Sequence, residues 1–342
     1  MPVKKIRVAH IVPGMVFGGV EVAILKSYPY LNELFDYDVF YVRKKGELNV
    51  GQRNVFSMLL DWLIKEKPHD LVITSLWWSH LFGMLASTFG VKWVSFIHST
   101  GSNSIFDYCV TRIALQFCKN IVFDSDATRD KFEGKYSGDC FVVPYIFAQK
   151  YEGMAITENP SYDISWIGRN SKEKRLDLLV RLIVSLAKHS MEIRYCVCVA
   201  GESYTPLDDI AATMSGSICL NYNVVPNKVI ELNRDSKMIL CLSDYEGFSA
   251  TTADAVLCGN YVAARKVGDL PNYLCGDSTI WLKDLDDISW EKFVKDIVDV
   301  INNEEECHSR RLNSKTFTAS RLAGKTYTES LSRVFRLVCD EK

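Results

Sequence analysis

At 342 residues the chain exceeds what one hydrophobic core usually organises, which favours two domains of ordinary size. Hydrophobic residues make up 48% and charged residues 24%, a balance that excludes a disordered or fibrous chain. Residues 1–150 hold seventeen Lys/Arg against fourteen Asp/Glu and the remainder twenty-three against twenty-eight, so the halves carry +3 and −5, too small an asymmetry to imply nucleic-acid binding.

The opening MPVKKIRVAHIVPG places basic residues before a short β-branched run that stops at Pro13-Gly14, and it reads as a first strand rather than a leader segment. A helix from about Val20, the strand DVFYV, a helix through VFSMLLDWLIKEK and the strand DLVIT follow. A helix near HLFGMLAS, the strand WVSFIH, the helix DYCVTRIALQFC and the strands NIVFDS and CFVVP then complete roughly 145 residues. Alternation of this kind predicts a parallel sheet covered on both faces, with ligands near the carboxyl ends of its strands.

Between Tyr145 and Ser161 the pattern lapses into FAQKYEGMAITENPS, where the interdomain linker is expected. A second series follows: YDISWIG, a helix from Lys174 to Lys188, RYCVCVAG, a short helix, SICLNYN, a helix after Pro226, and KMILCLS. After Asp287 the chain reads as helical to its end. Two Rossmann-like halves in succession are the architecture implied. No stretch offers the ~18 consecutive apolar residues of a membrane span. The eleven cysteines form no Cys-x-x-Cys pair, and Cys196 and Cys198 alternate with valines, so reduced thiols of a cytoplasmic chain are expected and zinc is not.

Two segments carry chemistry. In PGMVFGGVE, Gly18 and Gly19 lie where the first strand turns into a helix, and such a turn lets backbone N–H groups approach an anion. The spacing of Gly14, Gly18 and Gly19 departs from the Gly-x-Gly-x-x-Gly of a dinucleotide site, which argues against a dehydrogenase. In SDYEGFSATTADAVLCG, Glu246-Gly247-Phe248-Ser249 forms a loop, Ser249 is placed to cap a helix over Ala250–Leu257, and the first N–H groups at Ser249, Ala250 and Thr251 suit a pyrophosphate. Asp254 follows on that helix.

This stretch resembles the Glu-Gly-Phe-x…Glu signature of retaining GT-B glycosyltransferases, especially the large family 4 group (glycosyl transferases group 1). The acidic pair here is Glu246 and Asp254, aspartate standing where the family has glutamate. The segment DISWIGRNSKEKRLDLLV resembles the family's strand, Gly168-Arg169 and the lysine that opens the next helix, Lys174. The resemblance implies an α/β GT-B fold in which two Rossmann-like domains face a central cleft and the last helix, with Tyr327, crosses back to the first domain. Residues 1–150 (with 322–342) would bind acceptor, and residues 151–321 the donor.

Carried over residue by residue, Glu246 would contact donor-sugar hydroxyls, Asp254 the ribose, Arg169 and Lys174 the diphosphate, and Gly18 and Gly19 the phosphates and reacting sugar. His98, at the end of WVSFIHST, falls where these enzymes often carry a histidine facing the donor sugar. Trp77-Trp78 suits either sugar stacking or packing at a helix start. The expected partners are a UDP- or GDP-sugar and a glycan or lipid-linked acceptor, in surface polysaccharide or lipopolysaccharide assembly at the inner face of a membrane. No cofactor and no metal are expected, since Asp208-Asp209 and Asp286-Asp287 form no Asp-x-Asp motif. A non-hydrolysing nucleotide-sugar epimerase and a catalytically weakened binding subunit of a glycan assembly are the alternatives.

Overall fold

A computed structural model describes residues 5–14, 18–44, 52–64, 69–102, 104–189, 192–214 and 216–340. Residues 15–17 of the first glycine loop, and 65–67 of the helix expected through VFSMLLDWLIKEK, lie outside these. The chain divides into two compact units, Met1–Tyr145 with Lys325–Lys342, and Ile146–Gly324.

The first unit is built on a parallel sheet of β1 (Arg7–Gly14), β2 (Asp36–Lys44), β3 (Gln52–Asn54), β4 (Leu71–Ser75), β5 (Lys92–Ile97), β6 (Asn120–Phe123) and β7 (Asp139–Val142), in the order β3-β2-β1-β4-β5-β6-β7. Its helices are α1 (Gly19–Leu34), α2 (Val55–Ile64), α3 (Trp77–Thr88), α4 (Ile105–Phe117) and α5 (Asp126–Lys131). Right-handed crossovers require α1, which carries the chain leftward from β1 to β2, to lie on one face, and α2 to α5, which carry it the other way, to lie on the opposite face. The core follows this rule: Val55, Met58, Trp62, Ala86, Ala114 and Leu115 pack on one side of the sheet in a single cluster.

The last helix, α13 (Tyr327–Asp340), belongs to this first unit. Leu331, Val334, Phe335 and Val338 recur at helical spacing on its buried side, and the Phe335 ring meets Phe35 edge-on at 5.4 Å. Lys92 Nζ donates to the terminal carbonyls of Val338 and Cys339 at 2.7 and 3.2 Å, a cation closing the negative end of a helix. The expected single closing helix is in fact two, because Gly324 takes φ +71° and ends α12 (Glu304–Leu322) before α13 begins.

The second unit repeats the plan with β8 (Tyr162–Arg169), β9 (Tyr195–Ala200), β10 (Ile218–Tyr222), β11 (Ser236–Cys241), β12 (Tyr261–Arg265) and β13 (Ile280–Leu282), all parallel, in the order β10-β9-β8-β11-β12-β13. Helices α6 (Leu176–Ala187), α7 (Thr205–Thr213), α8 (Pro226–Arg234), α9 (Ala250–Leu257), α10 (Leu270–Tyr273) and α11 (Asp287–Ile301) cover it together with α12. α11 shows why: Trp290, Phe293, Val294, Ile297 and Val300 form one inward stripe, and the Asp286 carboxylate accepts from Ser289 N at its start.

Both sheets reverse strand order once, between β1 and β4 and between β8 and β11. Such reversals splay the two following loops apart at the carboxyl edge and create the place where open α/β sheets take ligands. The four non-glycine residues with positive φ among those described, Leu76, Arg175, Asn223 and Ser249, follow strands β4, β8, β10 and β11 at these edges. Residues held in sparsely populated backbone regions cost of order 1–3 kcal/mol each and cluster where a fold does chemistry.

Candidate active site

In the second unit the two loops at the switch point are joined by charge. β8 runs out at Arg169, a 3₁₀ turn spans Lys172–Lys174, and Arg175 at φ 54° redirects the chain into α6. Lys174 therefore ends a 3₁₀ turn two residues before the helix, a correction to its expected place inside a helix running from 174. From there its Nζ reaches Glu246 Oε1, in the loop after β11, at 2.6 Å. Ser243 Oγ donates to the same oxygen at 2.6 Å, and Glu246 is buried. Asp244 N also donates to Glu173 O at 2.8 Å, so backbone as well as charge ties the loops together.

A second ion group stands beside the pair. Arg175 donates to Asp244 Oδ1 at 2.9 Å and Arg265, at the end of β12, bonds the same oxygen. Burial works to raise the Asp244 pKa, but the hydrogen bonds from Arg265 and Arg175 outweigh it and hold the carboxyl below its ordinary value. The Arg169 side chain is 47% exposed, and among the described residues its ionic neighbour is Glu173 at 3.4 Å. Lys174, Arg175, Arg265 and Arg169 thus gather at one strand edge of this unit. Burial, and then the Glu246 carboxylate, push the Cys241 thiol beneath them up to about 11, which leaves it protonated and unreactive at neutral pH.

Ser249 precedes α9 as expected but does not cap it with its side chain. At φ 58° its hydroxyl instead pairs with Thr252 Oγ1 at 3.0 Å. Ala250 and Thr251 open the helix. Phe248 is a core residue, its ring 5.0 Å from that of Tyr273, so the Gly247-Phe248 stretch can offer a ligand only backbone. The Tyr273 hydroxyl donates to Ser249 O at 3.1 Å and fixes the loop's end. Asp254 sits further along α9, and its charge, after burial, raises the pKa of the Tyr151 phenol. At Gly168 an added Cβ would come within 2.9 Å of the Trp166 ring, so glycine there serves packing against the indole.

Gly268 escaped sequence reasoning. It takes φ +54°, and a Cβ on it would run into the Gly247 carbonyl oxygen and come within 2.7 Å of Glu246 O. The next residue, Asp269, donates its N–H to Gly247 O at 2.9 Å. Gly268→Ala should therefore lower stability by about 1–3 kcal/mol and displace the Glu246 loop, whereas Gly276→Ala, with nothing within 4 Å, should do neither. Unfolding curves of the two variants check this.

In the first unit, Gly18 is extended and precedes α1, and an added Cβ on Gly19 would meet nothing within 4 Å among the described residues, so no packing demand accounts for that glycine. His98 follows β5, its ring 4.1 Å from Phe96 and 5.4 Å from Tyr145. Its Nδ1 is hydrogen-bonded to the Tyr145 hydroxyl. Burial, and next the neighbouring His10 and His80, hold its pKa well below the ordinary value, so its ring is neutral. Trp77 and Trp78 stack on each other at 4.3 Å at the start of α3, with the Arg43 guanidinium 3.9 Å over Trp78. Gly18, Gly19 and His98 gather at the strand edge of the first unit and the remaining candidates at that of the second.

Two parallel Rossmann-like units with the final helix returned to the first define the GT-B fold, and solved structures agree. A sucrose-phosphate synthase of Thermosynechococcus elongatus is similar with a TM-score of 0.72 at 13% identity, over 97% of this chain and 99% of that one. Anabaena HepE in complex with UDP-glucose is similar with a TM-score of 0.75 at 12% identity, over 97% and 99%. Staphylococcus aureus TarM is similar with a TM-score of 0.62 at 14% identity, over 83% of this chain and 58% of that one. Residues 152–317, within the second unit, match the model of the family of glycosyl transferases group 1. No curated protein matches the sequence significantly.

Proposed function

We propose that the chain is a retaining glycosyltransferase that moves a sugar from a nucleoside-diphosphate sugar to a hydroxyl of a saccharide or lipid-linked glycan. The observation that carries this reading is the Lys174–Glu246 pair at the second unit's switch point, flanked by Arg169 and followed by the amide end of α9. A diphosphate leaving group gathers negative charge as the glycosidic bond breaks, and cations with free N–H groups stabilise that charge without a metal. Arriving phosphates would draw Lys174 away from Glu246 and release the carboxylate to the hexose hydroxyls. Asp254, beside Tyr151, is then left for the ribose.

Support for a uridine nucleotide comes from the similar HepE, which binds UDP-glucose. The acceptor hydroxyl would attack on the face from which the diphosphate departs, its proton passing to a departing phosphate oxygen, so that no second carboxylate is required. No described helix is long and apolar enough to cross a membrane. A lipid-linked acceptor in surface polysaccharide assembly would accordingly be met by peripheral contact of the first unit from the cytoplasmic side.

A thermal-shift series with UDP-, GDP- and ADP-sugars tests the reading. One nucleotide class should raise Tm, with about 2.7 kcal/mol of added stability at a hundred times Kd. No shift with any of them would overturn it. Product analysis with that donor alone separates transfer from epimerisation, which needs no acceptor.

A further inference from the structure

The His98 ring is backed by three aromatic rings drawn from distant parts of the chain. Phe96 and His98 stand at the end of β5, their ring centroids 4.1 Å apart. Tyr145, the last residue of the first unit before the chain enters the second, lies 5.4 Å from the His98 ring and 5.7 Å from that of Phe96. Tyr327, which opens α13, lies 5.1 Å from Tyr145 and 6.3 Å from Phe96. The planes in these pairs differ by 18° to 36°, so the four rings are nearly parallel. Phe96, Tyr145 and Tyr327 are buried, while His98 is partly exposed where the strand ends.

Packing alone would be served by phenylalanine at position 145, as it is at 96. A buried hydroxyl costs stability unless it is bonded, and that of Tyr145 is hydrogen-bonded to His98 Nδ1 and lies farther, at 3.4 Å, from Nε2. The direction of the bond follows from the acidities of the two groups. A phenol, with an ordinary pKa of about 10, is the better donor, and the bare nitrogen of an imidazole, whose protonated form has an ordinary pKa of about 6.5, is the better base. Burial favours the uncharged form of both, holding the Tyr145 phenol well above its ordinary value and His98 well below its own. Tyr145 therefore donates to Nδ1, and the single proton of the neutral imidazole is on Nε2.

We propose that Tyr145 is a positioning residue for the reaction: through Nδ1 it fixes the plane of the His98 ring and keeps the proton on Nε2, so that His98 presents one N–H donor to a hydroxyl of the reacting sugar. This role rests on the transfer proposed above. An imidazole free to change tautomer would offer that hydroxyl an acceptor for part of the time, and the preorganised donor would be lost from the transition state. Tyr327, packed on Tyr145, keeps the phenol ring from turning away.

Long-range proton–nitrogen spectra of the nitrogen-labelled full chain, recorded without ligand, read the tautomer, and the signals that His98→Gln removes identify the residue. The parent is expected to show Nδ1 unprotonated and Nε2 protonated at neutral pH. Tyr145→Phe, which keeps the ring and removes the hydroxyl, should mix the two tautomers; a tyrosine that served packing alone would leave the nitrogen signals where they were. The same variant should lower kcat for donor turnover about tenfold, roughly 1.4 kcal/mol in the barrier, with the donor KM changed less than about twofold. A parent ring protonated on Nδ1 overturns the proposal, whether or not Tyr145→Phe folds, and so does a Tyr145→Phe variant with the nitrogen signals or the kcat of the parent. The spectra need no substrate, so a chain with the expected tautomer that turns over no nucleotide sugar overturns the transfer reading and leaves the bond between Tyr145 and His98 standing.

Discussion

Lys174→Met and Glu246→Gln should each lower kcat/KM for donor turnover by about 10²–10³-fold, the loss seen when one preorganised group at a developing charge is removed. The two groups meet at 2.6 Å with side-chain exposures of 22% and 11%, so neither has a freely solvated state to fall back on. Acting as one unit, they should not be additive: the double variant should lie no more than about tenfold below either single one. Stability should change by ~1 kcal/mol or less, since a partly exposed pair is screened and Ser243 stays to hold the remaining carboxylate or amide. Nucleoside diphosphate released from the donor identified by thermal shift is the quantity to follow. Additive losses, or turnover near that of the parent, would remove the pair from the reaction. Arg169→Ala is a useful companion, because its exposed side chain supports little of the fold and its loss should be felt in donor binding.

Much of the fold was legible because parallel strands buried on both sides read as short apolar runs separated by helical spacing. That is how YDISWIG, RYCVCVAG and KMILCLS stood out. β3 and β13 are three residues long at sheet edges and carry no period, so they did not. The broken closing helix was missed for a related reason: a single glycine in LAGKT costs a helix only about 1 kcal/mol, and it was the left-handed φ at Gly324 that decided the matter.

At the site, the residues were readable and their conformations were not. Glu246, Lys174 and Arg169 stood out because the segments that carry them resemble a family's motifs at recognisable strand ends. The switch point that brings Lys174 and Glu246 together follows from strand order, which no local pattern encodes. Ser249 before an apolar helix reads as a cap, yet its left-handed φ turns the hydroxyl to Thr252. Asp244 and Arg175 lie inside the motif segments but Arg265 does not, and their network spans three separate strand ends. Gly268 needed the carbonyl of Gly247 to be placed before its glycine had a reason.

The first unit should lose stability steeply in mild acid, and its buried histidines give the sign. His10 lies mid-strand in β1, bonded to Tyr37 at 2.5 Å and Ser75 at 2.8 Å, and His80 is bonded to Thr74 at 2.9 Å. Burial lowers both to about 3, and His98 is lowered in the same direction. Above an ordinary histidine pKa of about 6.5 none of the three is protonated in either state, so their contribution to stability is complete. As pH falls below that value the unfolded chain takes up three protons that the folded chain resists, His10 and His80 until about pH 3 and His98 in the same direction. Stability then drops by roughly 4 kcal/mol per pH unit, which over one or two units consumes a typical domain's total. The second unit holds only His189 and His308, both exposed, and should not share this loss. Hydrogen exchange at pH 7.5 and 5.5, corrected for intrinsic rates, should show protection falling in β1, β4 and β5 while β8, β9 and β11 keep theirs. Equal protection of β1 at both pH values would mean that these rings are solvated or already charged in the native state, and the neutral His98 argued for the site would go with them.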